Sequence, residues 1–277
     1  MSDDAFPAIV QHLSEIRGLR VRGIRTAVLE RRCRERADRA GCGTLLDYLK
    51  ILQTCPEEVN ALLDALVVGY TRFFRDPLTD VFLHQRVLPE MIRTKVELGQ
   101  DFFRVWSAGC ATGEEAYSLA LILWDTAPKV SETFRLHVLG TDRDAGALEV
   151  ARLGRYDRDR LGDLPLRLAD RCFRHEGGFF QVVPELQSLV RFVVHDLLQD
   201  EPTPLAEAVF EDFDLISCRN VLMYYDRLTR EKILRRLHRS LEMGGVLVLG
   251  AVEGVPPGLG GAFQRLDSCC PVYRKVA

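Results

Sequence analysis

The chain has 277 residues, of which 47% are hydrophobic and 28% are charged, and its mean hydropathy is −0.04. These values are typical of soluble globular proteins and exclude the disordered, fibrous and membrane-spanning classes. The formal net charge of −3 argues against a nucleic-acid-binding protein with a uniformly basic surface. At about 100–200 residues per domain, the length predicts two domains.

The sequence also carries expectations about location and chemistry. No apolar run of about 18 residues predicts a membrane span, and the first residues lack the pattern of a secretory signal, so we expect a cytoplasmic protein. The eight cysteines include no C-x-x-C pair at zinc spacing, which predicts reduced thiols, no disulfide framework and no metal site. Without a sustained heptad pattern, we expect a monomer.

The first 70 or so residues are predicted to be all-helical. The segment from Arg17 to Arg39 contains nine arginines and three acidic residues, which gives it a local charge of +6. Apolar residues recur there at helical spacing, which places the arginines on the solvent side of an amphipathic helix: Ile24, Val28, Leu29 and Cys33. An ordinary solvated face and a docking surface for an acidic partner are both open interpretations. Further helices are predicted at Leu45–Gln53 and Val59–Val68.

After another amphipathic stretch, Phe82–Lys95, the pattern changes to continuous apolar runs alternating with helical segments. Such runs predict the strands of a parallel sheet that is covered on both faces: Phe102–Trp106, Phe134–Gly140, Phe192–Val194, Phe213–Ser217 and Val246–Gly250. Residues from about Asp159 to Arg191 interrupt this alternation. Gly177 and Gly178 lie there between β-prone segments, which predicts a small antiparallel hairpin insertion.

The first predicted strand leads directly into a small-residue loop, Ser107–Gly113, and then into a helix that begins at Glu114. A glycine turn between strand and helix lets a ligand approach the backbone closely, although a purely structural turn is an open alternative. The loop is neither a dinucleotide fingerprint nor a P-loop. Two carboxylates, Glu114 and Glu115, at the helix N-terminus favour a cationic or neutral ligand over a pyrophosphate.

Asp142 follows the second apolar run, about 30 residues beyond the glycine loop. A carboxylate at this strand end can accept hydrogen bonds from both hydroxyls of a ribose. Asp142 could instead cap the next helix, a role that Asp144 fits better. We therefore predict that Asp142 binds a ribose.

Four blocks occur in order along the chain: GYTRFFRD (69–76), VWSAGCATGEEAYSLA (105–120), LGTD with ARLGRY (139–142 and 151–156), and FDLISCRNVLMYYD (213–226). With the late GGVLVLGAVE (244–253), they make the chain resemble the CheR-type chemoreceptor methyltransferases. The resemblance implies an all-helical N-terminal domain (1–76) and a doubly wound, Rossmann-like α/β methyltransferase domain (77–277). A small antiparallel β-subdomain would be inserted at about 159–191.

The resemblance also implies the reaction: a methyl group passes from S-adenosylmethionine to receptor glutamates, giving methyl esters and S-adenosylhomocysteine. Gly69 replaces the family's Asn, so a side-chain contact with the cofactor from this position is lost. The implied cofactor-binding residues are Thr71, Arg75, Gly109, one of Glu114 and Glu115, Asp142 at the ribose, Asp196 and Leu197 beside the adenine, and Arg219 and Asn220 under the methionine part. Tyr224 and Arg75 would flank the methyl group.

This chemistry requires no general base, because a glutamate with a pKa of about 4.3 is ionised near pH 7. What the site must do is hold the carboxylate oxygen and the methyl carbon in line and exclude water. An Arg75 that held the substrate carboxylate equally well before and during the reaction would not raise kcat. We therefore predict that Tyr224 lies nearest the reacting atoms and that Arg75 organises the site.

The predicted partner is the cytoplasmic helical domain of a chemoreceptor, docked on the basic helix through Arg25, Arg32 and Arg36. The short hairpin predicts no dependence on a receptor-tail pentapeptide. Two alternatives differ in class. One is a methyltransferase with another acceptor, such as nucleic acid, against which the net acidity argues. The other is a non-catalytic module of the same fold that only senses the cofactor.

Overall fold

The computed structural model describes residues 5–17, 26–66, 71–130, 134–162, 164, 166–199 and 212–277. Contacts divide the described residues into two compact units. The first unit contains those before Thr71 together with Met223–Arg230, and the second contains those of Thr71–Leu222 and Glu231–Ala277. Residues 71–76, which the sequence analysis assigns to the first domain, lie in the second unit.

The described residues before Thr71 form four helices: α1 (Phe6–Arg17), α2 (Thr26–Arg39), α3 (Leu45–Thr54) and α4 (Pro56–Leu66). Thr44 caps α3, because its hydroxyl oxygen accepts a hydrogen bond from the Asp47 N–H at 3.2 Å. The all-helical prediction is confirmed. Buried side chains from all four helices form one core: Ile9, Leu13, Leu29, Cys33, Tyr48, Leu52, Val59 and Leu62.

The arginines of α2 do not all face solvent. The side chains of Arg31 and Arg34 are 63% and 53% exposed, as the helical pattern predicts. The prediction is wrong for Arg36, whose Nε and Nη2 donate to the two carboxylate oxygens of Glu58 at 3.0 and 2.6 Å. The Tyr48 hydroxyl donates to the same carboxylate at 2.8 Å. The Glu58 carboxylate on α4 therefore joins α2 and α3 through Arg36 and Tyr48.

The second unit continues with α5 (Pro77–Phe82), a π-helical turn (Leu83–Val87) and α6 (Leu88–Glu97). Its strands, in chain order, are β1 (Phe102–Ala108), β2 (Arg135–Asp142), β3 (Arg155–Tyr156), β4 (Phe173–Glu176), β5 (Phe179–Val182), β6 (Val190–Val194), β7 (Phe213–Cys218), β8 (Leu241–Leu249), β9 (Phe263–Arg265) and β10 (Val272–Lys275).

Seven of these strands form the main sheet in the order β6-β2-β1-β7-β8-β10-β9. The first five are parallel, and β10 runs antiparallel to both β8 and β9. All five predicted apolar runs are strands of this sheet, which confirms the doubly wound α/β prediction. Strand β7 shows why such runs are continuous, because each of its six residues is buried.

Helices complete the second unit: α7 (Glu114–Thr126), α8 (Ala145–Leu153), α9 (Arg158–Leu161), α10 (Leu166–Cys172), α11 (Pro184–Gln187) and α12 (Arg227–Ser240), whose first turn belongs to the first unit. Helix α7 follows β1 and is almost entirely buried, with Leu119, Ala120 and Ile122 at most 1% exposed. Their side chains join the main core with residues of β1 and β2.

The small sheet has the order β3-β5-β4 and is antiparallel. Gly177 and Gly178 connect β4 to β5 with φ angles of 56° and 87°. A two-residue hairpin turn of this kind requires positive φ at both positions, which glycine adopts at little cost. The predicted antiparallel insertion is confirmed.

Within the described ranges, none of the helices has the length and apolar character needed to cross a membrane. The same part of the chain contains no group of three or more His, Cys, Asp or Glu side chains that could hold a metal ion. All eight cysteines are free thiols.

Candidate active site

The parallel strands β1, β2, β6 and β7 all end at one edge of the main sheet. Strand β1 is the point at which the chain order reverses, because β2 and β6 lie on one side of it and β7 and β8 on the other. In open parallel sheets, ligands bind in the crevice outside the carboxyl ends of the strands at such a switch point. Most of the predicted cofactor-binding residues lie in the loops at this edge.

The glycine loop is tied to the end of β2. The N–H groups of Gly109 and Cys110 both donate to the Thr141 carbonyl oxygen, at 2.8 and 2.9 Å. Gly109 and Gly113 have φ angles of 79° and 94°, which L side chains rarely adopt. A Cβ at Gly109 would also lie 2.5 Å from Val221 Cγ2. The loop therefore needs glycine both for its backbone conformation and for its close packing.

Asp142 lies at the end of β2 and is 7% exposed. Its Oδ2 accepts a hydrogen bond from the Ala111 N–H at 2.8 Å, and its Oδ1 accepts one from the Asp144 N–H at 3.0 Å. Burial raises the pKa of Asp142, while these two hydrogen bonds favour its ionised form. Asp144 is the N-cap of α8, since it accepts hydrogen bonds from the N–H groups of Gly146 and Ala147. Asp144 is therefore the helix cap, and the Asp142 side chain contacts the glycine loop instead.

The two glutamates at the start of α7 have different surroundings. Glu114 is fully buried, and both of its carboxylate oxygens have protein partners: Oε1 accepts from Arg160 Nη1 at 3.1 Å and Oε2 from Thr112 Oγ1 at 2.7 Å. Glu115 is partly exposed, and its Oε1 accepts a hydrogen bond from Ser107 Oγ at 2.6 Å. Burial raises the pKa of both carboxyl groups. The Arg219 guanidinium near Glu115 opposes this rise in its pKa, and which of the two glutamates contacts the cofactor stays a prediction.

The segment of residues 71–76 contacts α7 and α9. Thr71 is buried, and its carbonyl oxygen accepts a hydrogen bond from Arg160 Nη1 at 3.2 Å. Phe74 has a φ of 51°, and its N–H donates to Ser118 Oγ on α7 at 3.1 Å. Arg75 is exposed. The segment is therefore anchored through its backbone to α7 and α9, while its predicted functional arginine reaches solvent.

The loop after β7 contains Arg219 and Asn220. The guanidinium of Arg219 is buried, with Nη1 donating to Asp80 Oδ1 at 2.8 Å and Nη2 lying 3.7 Å from Asp76 Oδ2. Asn220 has a φ of 60°, and its N–H donates to Glu253 Oε2 at 2.9 Å. The Gly250 N–H donates to the same oxygen at 2.8 Å. Glu253 thus fixes the backbone that carries Asn220.

Asp196 and Leu197 follow β6, next to the end of β2. The His195 N–H donates to the Asp142 carbonyl oxygen at 2.9 Å, which continues the pairing of the two strands. Asp196 Oδ1 accepts a hydrogen bond from the Leu198 N–H at 2.9 Å. The structure therefore places Asp196 and Asp142 at the ends of neighbouring strands, as a ligand spanning both loops requires.

The remaining predicted residues belong to the first unit or lie outside the described residues. Tyr224 is partly buried in a 3-10 turn, Leu222–Tyr224, and belongs to the first unit by its contacts. Gly69 and Arg25 lie outside the described residues. Arg32 pairs with Glu35 at 2.5 Å, three residues along the same helix. The roles predicted for these side chains stay predictions.

Two supporting residues were missed in the sequence. Glu253 ends the late GGVLVLGAVE block, so its position in that block was a usable signal. Arg160 lies among several arginines of the inserted region, and nothing in the local pattern distinguishes it from Arg155 or Arg158. Only the fold brings its guanidinium to the Thr71 carbonyl and to Glu114.

Comparison with known proteins identifies relatives of this chain. Chemotaxis protein methyltransferase of Borreliella burgdorferi is 30% identical over 218 residues, covering 78% of this chain and 75% of that one. Chemotaxis protein methyltransferase 1 of Pseudomonas aeruginosa is 34% identical over 199 residues, covering 70% and 69%. A 104.1 kDa protein in the hypE 3′ region of Rhodobacter capsulatus is 31% identical over 91% of this chain, which spans about a quarter (26%) of its length.

Two family models together match nearly all of the chain. The SAM binding domain of CheR methyltransferase matches residues 69–269, and the all-alpha domain of CheR methyltransferase matches residues 4–67. The first match covers the glycine loop, Asp142, Asn220 and Glu253, and it gives S-adenosylmethionine as the cofactor. The chain belongs to the CheR methyltransferase family.

Proposed function

We propose that the protein transfers a methyl group from S-adenosylmethionine to glutamate side chains of chemotaxis receptors, giving glutamyl methyl esters. The observation that supports this most is the pairing of a glycine loop with the buried Asp142 carboxylate at the switch point of the sheet. The names of the Borreliella and Pseudomonas relatives support the receptor as acceptor.

The residues at this edge fit the cofactor by their chemistry. The Asp142 carboxylate can accept hydrogen bonds from the two hydroxyl groups of a ribose, while the Ala111 N–H holds the carboxylate in place. The amino group of the methionine part is cationic, and the partly exposed Glu115 supplies the matching charge. Asp196 and Leu197 would border the adenine, and Asn220 the methionine part. Gly109 lets the loop backbone lie close to the ligand.

The bound cofactor supplies an electrophilic methyl group on a sulfonium sulfur. The acceptor glutamate is already ionised near pH 7, so this chain has to orient it rather than deprotonate it. We assign that orientation to the Tyr224 hydroxyl, and the organisation of the cofactor site to Arg75. The reaction converts one S-adenosylmethionine and one glutamate carboxylate into one S-adenosylhomocysteine and one methyl ester.

The acceptor's acidity also bears on docking. Receptor glutamates offer negative charge, and α2 presents Arg31 and Arg34 on its solvent side. We propose that this face steers the receptor helix, as was predicted for Arg25, Arg32 and Arg36. Arg36 is paired with the largely buried Glu58, whereas Arg31 and Arg34 make exposed pairs with Glu35 and Glu30, so these two arginines are the better test of this role.

The test is transfer of radiolabelled methyl from S-adenosylmethionine to receptor-enriched membranes, followed by alkali to release methyl esters. We expect base-labile label, a fall in kcat of about tenfold or more in Tyr224→Phe with unchanged cofactor affinity, and little change in the matched control Tyr225→Phe. Arg31→Glu with Arg34→Glu should raise the KM for receptor alone.

Other outcomes of the same assay would overturn the proposal. Label that resists alkali would indicate an acceptor other than a carboxylate. Cofactor binding without transfer to any receptor fraction would indicate a sensing module. Equal rates in Tyr224→Phe and Tyr225→Phe would remove Tyr224 from the chemistry.

A further inference from the structure

Arg160 connects two segments that are far apart in the sequence. Its Nη1 donates to the Thr71 carbonyl oxygen at 3.2 Å and to Glu114 Oε1 at 3.1 Å. Its own carbonyl oxygen accepts a hydrogen bond from the Phe73 N–H at 2.9 Å. Thr71 belongs to the first block with predicted cofactor contacts, and Glu114 opens the helix after the glycine loop. The side chain and the backbone of Arg160 therefore connect the segment of residues 71–76 to the start of α7.

The position of Arg160 is itself well defined. It lies in the single turn of α9, where Asp157 is the N-cap and accepts a hydrogen bond from the Arg160 N–H at 3.1 Å. Gly162 follows α9, and a Cβ there would lie 3.0 Å from the Phe73 carbonyl oxygen. The chain after Arg160 thus packs closely against the segment that Arg160 holds.

Glu114 gives Arg160 a second effect. Its carboxylate has no exposed surface, and burial raises its pKa. A buried carboxylate without a cation or hydrogen-bond donors is strongly destabilising. Arg160 supplies the cation and Thr112 supplies a hydroxyl. Loss of Arg160 would therefore disturb both the charge balance at Glu114 and the anchoring of Thr71.

We propose that Arg160 is a positioning residue for cofactor binding, which holds residues 71–76 in register with the glycine loop by joining the Thr71 carbonyl to Glu114. The inference rests on the proposed function only in taking both segments as parts of the cofactor site. It adds a specific expectation: the anchoring of Thr71 sets cofactor affinity, whereas neutralising Glu114 sets stability.

Four variants separate these two effects: Arg160→Met, Arg160→Met with Glu114→Gln, Glu114→Gln alone, and Arg160→Lys. Arg158→Met, on an exposed side chain of the same turn, is the matched control. Thermal unfolding reports the stability of each variant. Isothermal titration with S-adenosylmethionine and S-adenosylhomocysteine reports affinity without any methyl acceptor.

We expect Arg160→Met to lower the melting temperature and to raise Kd about tenfold. In the Glu114→Gln background, the same change should cost much less in melting temperature but still raise Kd about tenfold, because the Thr71 carbonyl remains unanchored. Arg160→Lys, which keeps a donor and the charge, should recover part of the affinity, and Arg158→Met should match the wild type.

Two results would overturn the inference. One is an unchanged Kd in Arg160→Met. The other is a Kd that returns to the Glu114→Gln value when Arg160→Met is added to that background, since Arg160 would then act only through the buried charge. Failure of the proposed function is recognised separately: a wild type that binds cofactor but methylates no receptor, with the expected Kd pattern intact, would refute the receptor reaction and leave the role of Arg160 standing.

Discussion

Replacing Glu253 with Ala should loosen the loop that carries Asn220. Glu253 is 8% exposed, and its Oε2 accepts hydrogen bonds from the N–H groups of Asn220 and Gly250. Asn220 lies in the left-handed region, with a φ of 60°. Without the carboxylate, the N–H groups of Asn220 and Gly250 lose this acceptor, and Asn220 loses a hydrogen bond that holds its backbone at positive φ.

The expected cost follows from the two hydrogen bonds. A hydrogen bond to a charged group contributes about 1.5–3 kcal/mol. Because both donors share one oxygen, we take about 1.5 kcal/mol for each bond and expect a total loss of about 3 kcal/mol. For a domain of about 200 residues this corresponds to a fall in Tm of about 6–12 °C. Glu253→Gln keeps a carbonyl oxygen that can accept both bonds, so it should lose about 1 kcal/mol.

Urea unfolding followed by circular dichroism measures the free energy, and calorimetry with S-adenosylmethionine measures cofactor affinity. Affinity should fall in Glu253→Ala, because Asn220 is no longer held. Glu149→Ala, which removes an exposed carboxylate paired with Arg152, should stay within about 0.5 kcal/mol of the wild type. A Glu253→Ala protein within about 1 kcal/mol of the wild type would refute this reasoning.

Three further predictions concern other parts of the chain. Gly113→Ala should destabilise the protein by more than about 1 kcal/mol in thermal melts, because its φ is 94° and the new Cβ would lie 2.7 Å from Ala151 Cβ; a neutral effect would contradict this. Arg36→Ala should cost about 2–3 kcal/mol in urea unfolding, since it leaves a largely buried carboxylate unpaired, whereas the exposed Arg31→Ala should change stability by less than about 0.5 kcal/mol. Burial lowers the pKa of His195 below its ordinary value of 6.5, so protonation of His195 favours the unfolded chain and stability should fall as the pH drops below about 6.5. His195→Gln should flatten that pH dependence of the free energy of unfolding, and a variant with the same pH profile as the wild type would contradict the prediction.

Much of the fold could be predicted from the sequence because burial on both faces leaves a direct pattern. The strands of the parallel sheet are continuous apolar runs, and each predicted run overlaps a strand. Strands β9 and β10 were not predicted. Each is only three or four residues long, and in β10, Val272–Lys275, two polar residues follow two apolar ones. Such short segments carry too little periodicity to separate them from a loop.

The stretch Phe82–Lys95 shows a different limit. Its apolar spacing indicates one helix, whereas the structure has α5, a π-helical turn and α6. In that turn, His84 Nε2 lies 3.0 Å from Asp125 Oδ2 at the end of α7. Side-chain partners 41 residues away leave no trace in the local spacing, so a π-helical turn is not visible in one sequence.

The candidate site divides in the same way. Gly109, Asp142 and Asn220 lie at or just after the ends of strands, so the apolar runs that predict the strands also indicate these residues. The different surroundings of Glu114 and Glu115 could not be predicted from adjacent positions in a sequence, because they depend on Arg160 and Ser107 reaching one carboxylate each. Likewise, helical spacing alone gave no sign that Arg36 turns toward Glu58 on another helix.

The register of the central strand has a consequence for the order of folding. Val105 of β1 pairs with Val138 of β2, 33 residues along the chain, and with Leu215 of β7, 110 residues along. Closing the longer loop costs about 1 kcal/mol more in chain entropy, so the β1–α7–β2 crossover should form first. The glycine loop and Asp142 are then assembled early, while Asn220 joins them only when β7 docks, and the complete cofactor site is a late event on the folding pathway.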